Sequence, residues 1–336
     1  MMGIEWHAKS PVLHKGDVAV DFFFVLSGFL LSYLAYFEFQ KTNKIDIAGF
    51  FKRRVLRIFP LYYLAVVAGF LLLGVIFPKI TGETFFSFDI GTGLIHYLLF
   101  LPNYVIAYGG DSIGSLYSLW SIGVEEQFYL FFPFLMIMLF RFKKVIPGLF
   151  ILTILYFILY KRFTGESLLV SDTVMEKFMF TLKFHYMFTG AFFSLIFIHY
   201  NQIVRQWLNF KWVQLLIWIM VGMVFLTNYL EGLDMIEAII FSLVIYAASH
   251  KPNKLLNLEI KPLIYLGMIS YGIYIFHPLV SYPLRYVIDQ WQLLFNLIVS
   301  CPIVYYILEL CLTIGVAHIS YRYYESYFLK KKQYPN

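Results

Sequence analysis

The stretch "SLWSIGVEEQFYLFFPFLMIMLF", residues 118–140, carries two carboxylates, Glu125 and Glu126, inside an otherwise apolar and aromatic run. A carboxylate at the centre of a membrane span costs about 2.5–3.5 kcal/mol on insertion scales, so such a group normally faces a cavity or a partner. Helical periodicity sorts the two acids. Ser121, Glu125 and Tyr129 stand at i, i+4 and i+8 and share one face, flanked by Trp120 and Gln127. Glu126 points about 100° away. Glu125 is therefore a candidate for acid–base or electrostatic work, or for a structural ion pair between helices.

Three further stretches carry polar groups at helical spacing. In "LGMISYGIYIFHPLV", residues 266–280, Ser270, Tyr274 and His277 share a face and Tyr271 adjoins them. In "DVAVDFFFVLSGFLLSYL", residues 17–34, Asp21, Gly28 and Ser32 align, and the Ser27–Gly28 pair permits close approach of another backbone. Asp21 lies near the outer boundary and is read either as part of this polar face or as simply solvated. In "FFKRRVLRIFPLYY", residues 50–63, Arg54 and Arg57 stand at i, i+3 ahead of Pro60. Guanidinium forks match phosphate oxygens, so this pair suits either lipid headgroups or a phosphorylated ligand.

The elements that must position these groups follow from composition. The 336 residues are 60% hydrophobic and 14% charged, with mean hydropathy +0.73. Soluble domains are nearer about 45–50% apolar and about 25% charged. Apolar runs near the ~20 residues needed to cross a bilayer occur at roughly 18–38, 60–77, 118–140, 144–160, 181–199, 212–231, 235–249, 262–284 and 291–317. The expected fold is all-α, a polytopic transmembrane helix bundle of about nine spans, in one integral-membrane domain over residues 1–336. The segment 93–105, interrupted by Pro102 and Asn103, is expected to be an interfacial or re-entrant piece.

The net charge of +6 follows topology and implies no nucleic-acid binding. Lys and Arg divide 18 to 7 between the two sets of loops, with Lys183 inside a span. The positive-inside rule then puts the C-terminal "KKK" and the "KRRVLR" loop in the cytoplasm. Nine spans leave the N-terminus outside. Cys301 and Cys311 fall on one helix about 15 Å apart in rise and cannot pair. No metal-ligand spacing and no phosphate loop occurs, so no bound metal or bound cofactor is expected.

Together, "VDFFFVLSGFLLSYL", "RRVLRIFPLYY", "LWSIGVEEQFYLFFP" and "LGMISYGIYIFHP", in this order, resemble the membrane acyltransferase 3 family, which includes O-antigen and other polysaccharide O-acetyltransferases. The closing "ISYRYYESYF" is similar too, and the resemblance covers roughly residues 7–330. It implies about ten helices and transfer of an acyl group, usually acetyl, from acyl-CoA as co-substrate to a hydroxyl of a carbohydrate or lipid-linked glycan. It also implies a bacterial inner-membrane location.

The family carries an Arg, ten intervening residues and a catalytic His shortly before the "VDxFFVLSGF" motif. His7, fourteen residues before Asp21, matches that His; His14 fits less well. The Arg position would precede residue 1, so most of the first helix of the ten-helix pattern is expected to be missing. The resemblance makes His7 the catalytic base, which would take the proton of the attacking hydroxyl; a carboxylate that orients the imidazole would complete the pair, and Glu125 is the candidate for it. Arg54 and Arg57 would hold the phosphates of CoA. Ser27, Tyr271, Tyr274 and His277 are weaker candidates for oxyanion or substrate contacts. A secondary transporter would also use intramembrane carboxylates, although no inverted repeat is evident. A non-catalytic membrane partner descended from an acyltransferase is the other alternative.

Overall fold

In the computed structural model the described residues are 16–82, 85–109, 116–164, 173–208, 210–226, 233–249, 258–291, 301 and 303–331. Among them the regular structure is all helical. Among the described residues, seven helical stretches are long and apolar enough to span a membrane: Gly16–Thr42, Ile47–Thr81, Leu119–Arg141, Val145–Thr164, Val174–His199, Lys261–Gln290 and Ile303–Lys330. An eighth arises if Asn201–Trp207 and Lys211–Leu226, bent by 86°, form one broken span. This is an integral membrane protein. The expected span 235–249 appears as a helix, Asp234–Ser249, of 16 residues.

The chain divides into two compact units, one of Met1–Ile45 with Glu125–Leu258, the other of Asp46–Val124 with Glu259–Asn336. In the first unit, α1 (Gly16–Thr42) packs along α9 (Phe184–His199), which also contacts α7 (Val145–Thr164) and α12 (Asp234–Ser249). The α1–α9 crossing is close because two glycines remove the side chains between the backbones. A Cβ added at Gly28 would lie 1.9 Å from the Met187 carbonyl oxygen, and one at Gly190 would lie 2.1 Å from the Val25 carbonyl oxygen. Both obstacles are helix backbone and cannot rotate aside. Gly28→Val is therefore expected to force the helices apart and cost about 1–3 kcal/mol, measured as a lowered melting temperature of the detergent-solubilised chain.

In the second unit, α2 (Ile47–Leu71) starts at Asp46, whose side chain accepts a hydrogen bond from the Gly49 amide at 2.9 Å. Asx side chains at this position satisfy an otherwise orphaned helix N–H. Beyond α2 a five-residue π segment, Leu72–Ile76, leads into α3 (Phe77–Thr81). The interrupted segment expected at 93–105 is two short helices, α4 (Ile90–Leu98) and α5 (Pro102–Gly109). Between them Phe100 takes a left-handed φ of 58°, and its ring stacks on Tyr62 at 4.2 Å. Tyr62 itself is buried and donates to the Tyr97 carbonyl at 2.8 Å. The long α13 (Lys261–Gln290) packs on α14 (Ile303–Ser320), which continues through a π segment, Tyr321–Glu325, into α15 (Ser326–Lys330).

Candidate active site

Within the first unit, α1 and the part of α6 (Leu119–Arg141) from residue 125 onward bring three oxygens together. Ser27 Oγ donates to Glu125 Oε1. Tyr129 Oη, one helical turn beyond Glu125, donates to the same oxygen at 2.9 Å. Ser27 Oγ and Tyr129 Oη are 2.7 Å apart. The alignment of Glu125 with Tyr129 follows from their i, i+4 spacing. Glu125 is 4% exposed, so solvent scarcely reaches its carboxyl group and these hydroxyls are among its partners.

Proton counting restricts what this cluster can do. Each hydroxyl has a single proton to give. With both directed at the carboxylate, neither is available to a developing oxyanion. The oxyanion role expected of Ser27 therefore requires its bond to Glu125 to open. The arrangement as it stands suits Glu125 as a fixed, desolvated carboxylate that polarises an adjacent hydroxyl or stabilises a neighbouring cation.

The same unit holds a second buried polar cluster. Of the two readings open for Asp21, a polar stripe or a solvated edge, the structure gives the buried one: it is 4% exposed. Lys183 Nζ donates to both its carboxylate oxygens at 2.8 Å. The reason is that α9 lies directly across α1 and carries Lys183 at its N-terminal edge. Nearby, Tyr186 donates to Glu237 Oε2 at 3.2 Å. His185 is fully buried between the rings of Tyr160 and Tyr186, with centroids at 4.3 and 4.5 Å. Neither Lys183 nor His185 was singled out as a site residue from the sequence. One signal was available: a lysine inside a span needs a counter-charge.

The second unit holds the remaining candidates. Tyr274 and Ser121 hydroxyls are 2.6 Å apart. Tyr271 donates to the Ile58 carbonyl at 3.0 Å, and Tyr324 donates to the Pro60 carbonyl at 3.2 Å. These bonds fasten α2 near its internal proline. His277 is exposed and its Nδ1 lies 2.7 Å from the Tyr274 carbonyl of its own helix, so the imidazole is tied locally. Arg54 lies over the Phe50 ring at 5.6 Å. Arg57 interacts electrostatically with the buried Glu325 of the Tyr321–Glu325 π segment. Both arginines are half-buried on α2. His7 lies outside the described residues. Among the described residues no group of three metal-ligating side chains gathers.

Comparison with known proteins places this architecture. An acyltransferase domain model matches residues 15–322. The chain belongs to the acyltransferase 3 family. Among curated relatives of this chain, O-acetyltransferase OatA of Staphylococcus aureus (strain NCTC 8325 / PS 47) is 28% identical over 345 residues, covering 98% of this chain and 55% of the relative. Peptidoglycan O-acetyltransferase OatA of Listeria monocytogenes serovar 1/2a is 27% identical over 295 residues, covering 82% of this chain and 46% of the relative. The chain thus spans about half the length of the curated relatives it matches. No solved structure matches it.

Proposed function

We propose that this acyltransferase moves an acetyl group from acetyl-CoA to a hydroxyl of a cell-envelope glycan. The observation that carries this reading is the family match across residues 15–322. The relatives named as O-acetyltransferases and as a peptidoglycan O-acetyltransferase support the acetyl group and the glycan class.

A sugar hydroxyl is a weak nucleophile at neutral pH. An imidazole can take its proton as oxygen attacks the thioester carbonyl, and a carboxylate then steadies the imidazolium. His7 takes the first role in this reading and Glu125 the second. The thiolate of CoA leaves and is protonated, so the proton lost by the hydroxyl is returned to sulfur. Arg54 and Arg57 hold the phosphates of the donor. Positive-inside bias puts these arginines at the cytoplasmic side of a bacterial inner membrane, with the C-terminus on the same side.

The test uses sealed membrane vesicles of each orientation, carrying the chain in its full-length natural context, supplied with radiolabelled acetyl-CoA and acceptor glycan. The expected result is base-labile label on glycan when donor and acceptor are on opposite sides. Label that appears only when both share a side would contradict a transmembrane transfer. No label in either orientation, with the chain folded and inserted, would contradict the acetyltransferase reading. In the same assay, Arg54→Gln with Arg57→Gln is expected to raise KM for acetyl-CoA about tenfold or more while changing kcat little, because it removes charge-assisted bonds to phosphate far from the reacting carbonyl.

A further inference from the structure

The ends of α1, α6, α7 and α9 enclose an open hollow of about 750 Å³ that lies wholly within the first unit. Its volume is in the range of roughly 300–1,000 Å³ typical of small-molecule sites. Arg141 and Lys143 stand on its wall, and the described lining residues include no carboxylate. Neither basic side chain has an ion-pair or hydrogen-bond partner among the described residues. Phe39 and Phe140, stacked at 4.5 Å, form an aromatic part of the wall, with Ile137 beside them. Two left-handed residues, Asn43 and Lys143, both at φ 53°, turn the chain away at the ends of α1 and α6.

This end of the unit belongs to the loop set rich in Lys and Arg, the cytoplasmic side. Val145, Ile146, Pro147 and Leu195 complete the apolar part of the lining, and Phe142 beside it is 65% exposed. A hollow with uncompensated cations at the headgroup level and apolar surface below it matches an amphiphilic anion better than a soluble one. In a bilayer such a space does not stay empty; lipid fills it. We propose that the hollow is a specific site for an anionic phospholipid of the cytoplasmic leaflet, its phosphate on Arg141 and Lys143 and its acyl chains against the wall of Phe39, Phe140 and Ile137.

The test is retention of lipid by the purified full chain from bilayers of equimolar dioleoylphosphatidylglycerol and dioleoylphosphatidylcholine, read by native mass spectrometry. Phosphatidylglycerol is expected to be retained roughly tenfold over phosphatidylcholine, a ratio consistent with two lysine or arginine contacts. Arg141→Gln with Lys143→Gln is expected to bring the ratio to parity. Ile137→Trp, which fills the hollow without altering charge, is expected to do the same. Lys330→Gln with Lys331→Gln, basic residues outside the hollow, is expected to leave the ratio unchanged. Parity in the unmodified chain overturns the proposal. So does an equal loss in the Lys330/Lys331 pair, which would mean general surface charge alone. Displacement of the lipid by free glycerol 1-phosphate would mean a soluble phosphate ligand and also overturns it.

Discussion

Lys183→Met is expected to destabilise the first unit by about 3–5 kcal/mol, and Asp21→Asn combined with Lys183→Met to recover most of that loss. The asymmetry comes from where the pair sits. Lys183 Nζ reaches both Asp21 oxygens at 2.8 Å, and the side chains are 14% and 6% exposed. Removing one partner strands the other charge in a site that water scarcely reaches, and that is the large term. Removing both charges leaves two neutral groups in a site lined by Tyr186 and α1, and such replacements are often neutral. The measurement is thermal unfolding of the detergent-solubilised chain for both single variants and the double. A double variant no more stable than Lys183→Met would mean that the pair is not the source of the effect. Single variants that melt like the unmodified chain would mean that solvent screens the pair.

That ion pair also marks the limit of reading the membrane from sequence. The seven long helices among the described residues were legible because each holds a long apolar run, and hydropathy over about 20 residues reports the solvent the helix must live in. The break at 93–105 was legible from Pro102 and Asn103, which interrupt an apolar stretch too short to cross; α4 and α5 now flank Phe100. The close approach at Gly28 was legible as a small residue on a polar face, and its partner is the Met187 carbonyl. Partner identity was not legible. Asp21 and Lys183 are 162 residues apart, and no local pattern says that α1 crosses α9 at that level. Span edges are equally ambiguous, since an aspartate a turn from the boundary can be solvated or buried depending only on what packs beside it.

The candidate site divides in the same way. Periodicity placed Glu125 and Tyr129 on one face of α6, and the i, i+4 hydrogen bond between them is a local consequence of that. The union of Ser27 with Glu125 needed α1 and α6 in register 98 residues apart. The sequence offers Ser27 as a hydroxyl for an oxyanion or substrate contact, and its hydrogen bond to Glu125 adds the condition that this bond must open for that role. The link between Arg57 and Glu325 was hidden for another reason. Glu325 is brought in by a π segment, and the wide turn changes which side of the helix a residue faces relative to α-helical counting.

Glu125→Gln tests whether the buried carboxylate does chemistry or only joins helices. Glutamine keeps the size of the side chain and one carbonyl oxygen, so Ser27 and Tyr129 can still donate to position 125. A purely structural role predicts acetyl transfer close to that of the unmodified chain. A role in steadying an imidazolium predicts a fall of about 100-fold or more, because the negative charge is gone while the packing remains. We expect the large fall with melting temperature nearly unchanged. Tyr129→Phe and Ser27→Ala are each expected to lower the rate about tenfold, since each removes one donor that holds the carboxylate in place. Their double variant is expected to cost less than the product of the two, because three oxygens share two hydroxyl protons and the deletions are not independent. The readout is base-labile acetate on acceptor glycan per folded enzyme, at saturating acetyl-CoA. Glu125→Gln retaining half the original rate or more would remove this carboxylate from the reaction and leave it as a tie between α1 and α6.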